Sequence, residues 1–316
     1  MNSSIKATAI VKMECPDFFQ IYLNSSWVSV EDFCNYCVIN KIDPDKKIEK
    51  LQFKYRDKEY SFDKYNLELK QTSQKFMNDI EKHDFLDDEW IFLYNPDFYR
   101  SAQFFKQLGY NISSAFYYAN KSYNKIPETF NNLKTYAGCF LKRTFDFNTS
   151  IMWYNTCFDY ILQAFCARFS LYSELTNEDT QTMSFSELVT LVDFEKINNL
   201  ATNHSSDREF NVWIKNIRRC RQELSTLNNT TNILKHRGGL KLVHFDLAPL
   251  MKIESNGKCN LDYFKLEKLD IDKDFILILN AHNSIVKCYK TLLTKLYKDI
   301  VNSKNAWETK MQKYKK

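Results

Sequence analysis

The scarcity of backbone breakers constrains the fold of this chain more than any other feature of its sequence. The 316 residues include five glycines and five prolines, whereas average usage predicts about 22 glycines and about 16 prolines. Proline interrupts helices and glycine weakens them, so a chain this poor in both favours long helices. With 44% hydrophobic residues, the chain is also too apolar to be disordered. The composition therefore predicts a mainly α-helical protein with a substantial core.

Helical periodicity dominates from residue 96 onward. The apolar pattern predicts helices over residues 98–123, 151–172, 188–200 and 209–236, and a last helix from Asp272 to about residue 300. We expect Gly109 to kink or split the first helix and residues 148–150 to cap the second. Ser184 and Glu187 fit a capping box before the third. These long helices indicate an antiparallel bundle.

The fourth of these helices has a regular inward stripe. It consists of Trp213, Ile217, Cys220, Leu224, Leu227, Thr231 and Leu234. Residues recurring at intervals of three and four share one face of a helix, so we expect this stripe to lie in the core.

The N-terminal third has a different character. Short alternating stretches at residues 51–55 and 59–62 predict a hairpin, and residues 90–94 predict another strand. Ser29 predicts the start of a helix that continues through residues 32–39. The sequence thus divides into a mixed α/β region of unknown role (1–95), a helical bundle (96–301) and a basic C-terminal tail (302–316).

Several classes of protein are disfavoured by the sequence. The first residues lack the apolar stretch of a signal peptide, and no run approaches the ~18 apolar residues of a membrane span. Cys34 and Cys37 have zinc or redox spacing, but no second pair lies at a suitable distance, so we interpret them as one buried helix face. We predict a cytoplasmic protein without metal, cofactor or membrane partner.

Positive charge is concentrated on the predicted helix 209–236 and its exit. Eight basic and two acidic residues between positions 208 and 241 give this segment a net charge of +6, against +5 for the whole chain. Such a cluster is typical of a surface that contacts phosphates. Arg218 and Arg221 lie in the middle of this cluster.

A polar face along the same helix ends at a histidine. Arg221, Asn228, Asn232 and His236 are spaced by seven, four and four residues, which places them on one face. The carbonyl end of the helix favours the charged form of His236, whereas its two basic neighbours oppose it. A histidine near neutrality can serve as acid or base. The structural alternative is that these cations only complete the last turn before a Gly238 cap.

The string from Asn229 to Gly239, with its Lys235-His236-Arg237-Gly238-Gly239 ending, resembles one bacterial branch of the HEPN superfamily. The resemblance covers about residues 96–301. It implies a homodimeric bundle that acts as a metal-independent endoribonuclease in a toxin–antitoxin or antiviral defence system, with RNA and an antitoxin or other defence component as partners. It assigns catalysis to His236. The basic cluster and the polar face supply the candidates for binding RNA or phosphate, which are Lys235, Arg237, Arg221, Arg218, Asn229 and Asn232.

The chain departs from the family pattern at the catalytic arginine. The Arg-x(4–6)-His motif requires an arginine at one of three positions, which are Asn229, Thr230 and Thr231 here. Arg221 lies fifteen residues before His236, which is about 22 Å along a helix. The sequence therefore leaves three functions open: an RNA-binding or RNA-cleaving protein, a catalytically inactive HEPN-like dimerisation or protein-interaction module, and a bundle with a closed pocket for a small molecule or nucleotide.

Overall fold

The computed structural model describes residues 11–13, 19–76, 84–126, 129–130, 136–176, 183–236, 241–242, 245–247 and 268–314. This part of the chain is mainly helical, with a small antiparallel sheet near the N-terminus. The prediction of a mainly α-helical protein is therefore confirmed.

The helices vary widely in length. They are α1 (Val30–Asn40), α2 (Pro44–Ile48), α3 (Phe62–Gln74), α4 (Ile91–Tyr94), α5 (Pro96–Tyr123), α6 (Tyr136–Arg168), α7 (Phe185–Thr190), α8 (Phe194–Leu200), α9 (Arg208–Glu223), α10 (Ser225–His236) and α11 (Ile271–Tyr314). Among these described helices, none combines the length and apolarity needed to cross a bilayer.

The strands are short. They are β1 (Val11–Met13), β2 (Phe19–Leu23), β3 (Ser26–Ser29), β4 (Gln52–Tyr55), β5 (Lys58–Ser61), β6 (Lys241–Leu242), β7 (Phe245–Leu247) and β8 (Lys268–Leu269). Four of them form an antiparallel sheet in the order β3-β2-β4-β5. Strand β1 pairs with β7 in antiparallel fashion, and β6 pairs with β8 in parallel.

The chain forms two compact units, each assembled from three segments. The first unit contains Met1–Lys75, Ala119–Asn148 and Asn232–Phe275, and the second contains Phe76–Tyr118, Thr149–Thr231 and Ile276–Lys316. Segments from the two units alternate along the sequence. The division predicted at residue 95 stays a prediction.

In the first unit, an aromatic stack forms the buried face of the sheet. The ring of Phe53 on β4 stacks on Tyr60, its direct partner on β5, at 5.1 Å. It also stacks on Phe19 at 5.3 Å, a diagonal neighbour on β2, where Ile21 is its direct partner. The hairpin predicted at residues 51–62 is confirmed, with Arg56 in the left-handed conformation at its turn. Ser29 caps α1 as predicted.

In the second unit, Trp213 of α9 lies at the centre of an aromatic cluster. Its ring packs against Phe105, Phe165 and Phe169 at centroid distances of 6.1, 6.2 and 5.7 Å. All described members of the predicted inward stripe are buried, from Trp213 to Thr231. The side chain of Leu234 lies outside the described residues.

Several predicted boundaries were wrong for physical reasons. Residues 91–94 form one helical turn rather than a strand. Helix α5 runs unbroken through Gly109, because one glycine costs a helix only about 1 kcal/mol. Helix α6 begins at Tyr136, and Ser150 lies inside it, where its hydroxyl donates to the carbonyl of Ala115 instead of capping.

Two predicted helices are divided. The segment 209–236 separates into α9 and α10 at Leu224, whose φ of −90° and ψ of 2° depart from helical geometry. The predicted helix 188–200 separates into α7 and α8, because the Asp193 side chain caps the second of them. The capping box of Ser184 and Glu187 is confirmed at the start of α7. Residues 302–314 continue α11.

Candidate nucleic-acid interface

The predicted catalytic histidine ends a helix. His236 is the last residue of α10. The side chains of Lys235 and His236, and Arg237 altogether, lie outside the described residues. Their predicted roles therefore stay predictions.

Two of the three arginines predicted to bind phosphate, Arg218 and Arg221, have different surroundings. The guanidinium of Arg221 is half-buried and lies over the rings of Phe158 and Phe194, at 5.4 and 5.5 Å from their centroids. Arg218 is exposed, and its Nε donates to Asn198 Oδ1 at 2.7 Å. Arg218 is thus the more accessible of the two.

The polar face predicted along residues 221–236 is not continuous. Asn229 and Asn232 are exposed on α10, whereas Asn228 is buried. Neither amide atom of Asn228 has a hydrogen-bond partner within the described residues. A continuous polar face over residues 221–236 requires one straight helix, but the break at Leu224 separates Arg221 from the asparagines.

Helices α9 and α11 pack antiparallel in the second unit. The thiol of Cys220 donates to the carbonyl of Ser284 at 3.9 Å, and the thiol of Cys288 to that of Asn216 at 4.0 Å. Residue numbers fall along α9 as they rise along α11. This register brings the cations of both helices to one seam.

Six cations follow this seam, and we call them the basic strip. They are Arg208, Lys215 and Arg219 of α9 and Lys287, Lys295 and Lys298 of α11. Within each helix these residues are separated by three, four, seven or eight positions, which places them on one face. Lys295 is half-buried, and the other five residues are exposed.

The carboxylates beside the strip are already engaged. Arg168 of α6 holds Asp299 at 2.7 Å and Glu209 at 3.0 Å. Arg219 holds Glu223 at 3.0 Å. Counting Arg168, seven cations face three carboxylates, so the surface is strongly positive.

A hydrogen bond with Ser284 is the largest influence on the carboxylate of Glu223. Burial alone would raise the pKa of Glu223, but this bond, together with Arg219 and Lys287, lowers it. Glu223 therefore stays ionised beside the strip at neutral pH. Its charge offsets part of the positive charge at this end of the seam.

A cavity of about 400 Å³ lies at the other end of the basic strip. Arg208, Lys295 and Lys298 contribute to its walls, together with Trp213 and Asn302. Glu209 and Asp299 also line the cavity, and Arg168 pairs with both of these carboxylates. In the part of the chain that the structure describes, the side chains of these three cations make no hydrogen bond or ion pair. They are available to an anionic ligand, and a phosphate is the anion that such a group of cations most often binds.

A buried charged network in the first unit was not predicted from the sequence. Arg143 pairs with Asp272 at 3.0 Å, and Arg56 pairs with Asp270 at 2.8 Å. The hydroxyl of Tyr55 donates to Asp272 at 2.5 Å and accepts from Arg143 at 2.9 Å. These residues are far apart in sequence, so no local pattern could reveal the network.

A second buried cation lies among tyrosines in the same unit. Lys125 pairs with Glu68 at 3.1 Å, and its ammonium lies 4.6 Å from the ring centroid of Tyr123. Burial lowers the pKa of Lys125, although Glu68 opposes that shift. Arg143 and Lys125 are buried and each pairs with a carboxylate, which indicates a structural role for both side chains.

The two N-terminal cysteines lie on α1. Cys37 is buried, and the thiol of half-buried Cys34 donates to the carbonyl of Phe130 at 3.8 Å. Burial raises the pKa of both thiols. Among the residues that the structure describes, no three His, Cys, Asp or Glu side chains form a group that could hold a metal ion.

Comparisons with protein-family models, with curated proteins and with solved structures find no significant match to this chain. The resemblance to the HEPN superfamily therefore stays a prediction.

The Asp272→Asn variant tests the charged network. Burial by itself would raise the pKa of Asp272, but Arg143 and the hydrogen bond from Tyr55 outweigh it and lower that pKa. Asp272 therefore stabilises the fold at neutral pH, and this contribution is lost as the pH falls through its lowered pKa. Because the substitution removes the carboxylate that pairs with buried Arg143 at 3.0 Å, we expect a loss of about 3 kcal/mol in the free energy of unfolding at pH 7.

Urea unfolding of the two proteins between pH 7 and pH 3, followed by circular dichroism, measures this effect. The difference between the two free energies should be constant at neutral pH, begin to shrink below about pH 4, the ordinary pKa of an aspartate, and continue to shrink toward the lowered pKa of Asp272. Asp57→Asn, at an exposed position in the β4–β5 turn, is the matched control and should follow the wild type. A constant difference between Asp272→Asn and wild type at every pH would contradict the assignment.

Proposed function

We propose that this protein binds RNA along the basic strip of α9 and α11. One observation carries the proposal: the packing of two helices aligns six cations, while Arg168 engages two of the nearby carboxylates. Cations arranged in this way suit the regularly spaced charges of a nucleic-acid backbone. RNA rather than DNA is the expected polymer because the sequence around His236 resembles the HEPN superfamily.

The length of the strip suits several consecutive phosphates. Arg208 and Arg219 are eleven residues apart, which corresponds to about 16 Å along a helix. By comparison with B-form DNA, where one strand has about 3.4 Å of axial distance per phosphate, that length corresponds to about five phosphates. The cavity beside Arg208, Lys295 and Lys298 is the position where one phosphate would be contacted by three cations.

In this proposal the protein binds RNA but does not cleave it with an Arg–His pair. Of the three positions where the family motif requires an arginine, Asn229 is exposed, and Thr230 and Thr231 are buried. None of them carries a charge that could stabilise a phosphate in the transition state. Homodimerisation and a partner from a defence or toxin–antitoxin system belong to the same proposal and rest on the resemblance alone.

Neutralising the cavity end of the strip tests RNA binding. The triple variant Arg208→Gln, Lys295→Gln, Lys298→Gln removes three cations without adding acids. Each lost phosphate contact should reduce the slope of log affinity against log salt by about 0.7 for a single strand, so we expect a total reduction of about 2. Fluorescence anisotropy with a labelled single-stranded RNA over a range of salt concentrations measures that slope.

The matched control is Lys50→Gln, Lys64→Gln, Lys70→Gln, which makes the same change in net charge at exposed positions of the first unit. It should keep the slope of the wild type. If both triple variants reduce the affinity equally, net charge rather than the strip is responsible and the proposal fails.

The His236→Ala variant tests the catalytic alternative. Because no arginine occupies the motif positions, we expect neither the wild type nor this variant to cut mixed cellular RNA in the presence of EDTA. Gel analysis over time measures cleavage. Cutting by the wild type that disappears in His236→Ala would establish a metal-independent ribonuclease and overturn the proposal of binding alone.

A further inference from the structure

We propose that a cavity between α5, α6 and α7 binds an adenine base. The cavity lies within the second unit and has a volume of about 720 Å³. Sites for small ligands in proteins usually enclose about 300–1,000 Å³ and combine apolar walls with a few polar groups. The residues of this cavity are separate from those of the basic strip, so the proposal does not depend on the proposed function.

Aromatic side chains supply a surface for stacking. Tyr160 of α6 contacts Phe104 of α5 with ring centroids 6.2 Å apart and planes at 60°. An edge contact of this kind covers at most one face of the tyrosine ring. Tyr99, five residues before Phe104 on α5, also lines the cavity. A flat base can therefore stack against Tyr160.

Three polar side chains of the cavity offer oxygens that can accept a hydrogen bond. The amide nitrogen of Gln103 donates to the carbonyl of Leu86 at 3.4 Å, and that of Gln107 donates to Asn111 Oδ1 at 3.0 Å. The hydroxyl of Thr156 donates to the backbone carbonyl one turn earlier in α6, at 3.1 Å. Each amide nitrogen keeps a second N–H, and the side-chain oxygens of all three residues can accept hydrogen bonds from a ligand. The walls therefore offer acceptors for the amino group of a base.

Gln163 selects among bases with amino groups. Its side chain lines the cavity from α6 and is half-buried. Within the described part of the chain, neither its amide oxygen nor its amide nitrogen makes a hydrogen bond. A glutamine with both ends available pairs with adenine in bidentate fashion, accepting from N6 and donating to N7. Guanine presents two acceptors at the same edge and would leave the glutamine oxygen without a partner.

The charges of the cavity disfavour a phosphate as the main recognition element. Arg100 is the basic residue among the lining side chains, and its Nη1 lies 3.5 Å from Asp97. Asp159 adds a carboxylate to the wall. A cation that already has a carboxylate partner, beside a second carboxylate, gives a phosphate little attraction. The base rather than the phosphate should determine affinity.

Isothermal titration calorimetry with adenosine, guanosine and uridine tests the proposal. We expect adenosine to bind more tightly than the other two nucleosides. Gln163→Leu keeps the approximate shape of the side chain and removes both hydrogen bonds, so it should weaken adenosine binding about 5- to 150-fold. Gln163→Glu keeps the acceptor and loses the donor to N7, so its affinity for adenosine should lie between those of the wild type and Gln163→Leu. Gln222→Leu, at an exposed position of α9, is the matched control and should bind like the wild type.

A second arm distinguishes free adenosine from an unpaired adenine in RNA. One outcome is that the protein prefers adenine only when the base is part of oligoadenylate and not when it is free adenosine. If Gln163→Leu abolishes that preference, the ligand is a base of the polymer. The triple variant of the basic strip should leave adenosine binding unchanged, which separates the two proposals. If neither adenosine nor oligoadenylate shows a Gln163-dependent preference for adenine, this inference is wrong.

Discussion

The antiparallel packing of α9 on α11 determines where the cations of the two helices meet in the second unit. Trp213, Ile217 and Cys220 are buried on one side of α9, and the cations that α9 contributes to the basic strip are exposed. Because the register of the two helices is fixed by their apolar contacts, the positions of the exposed cations are fixed as well. The basic strip is thus a consequence of core packing, and its geometry should persist whether or not a ligand is bound.

The cations of the two units differ in whether they pair with carboxylates. In the first unit, buried Arg143 pairs with Asp272, and half-buried Arg56 pairs with Asp270. A buried cation such as Arg143 needs such a partner if the fold is to tolerate it. Along the basic strip, Arg208, Lys295 and Lys298 have no such partners among the described residues. Exposed cations gain little stability from a surface ion pair, so their unpaired state costs the fold little. This difference separates charges with a structural role from those that can bind a ligand.

Sequence reasoning predicted the local features and missed the tertiary ones. The hairpin turn at Arg56, the cap at Ser29 and the buried stripe through Trp213 follow from spacing alone. The break at Leu224 does not, because nothing in the local pattern marks it. The cations of α9 form a cluster that is visible in the sequence. In the sequence, Lys287, Lys295 and Lys298 look like the scattered lysines on the solvent-exposed face of any long helix. Only the packing register combines the two sets into one surface.

Ultraviolet crosslinking of the full-length protein to uridine-containing RNA, with the crosslinked peptides identified by mass spectrometry, tests the account most directly. The basic strip predicts that crosslinked residues fall in peptides of α9 and of α11 between residues 284 and 302. Crosslinks confined to peptides of residues 19–76 in the first unit would contradict the account, because RNA would then be bound on a surface that lacks the strip.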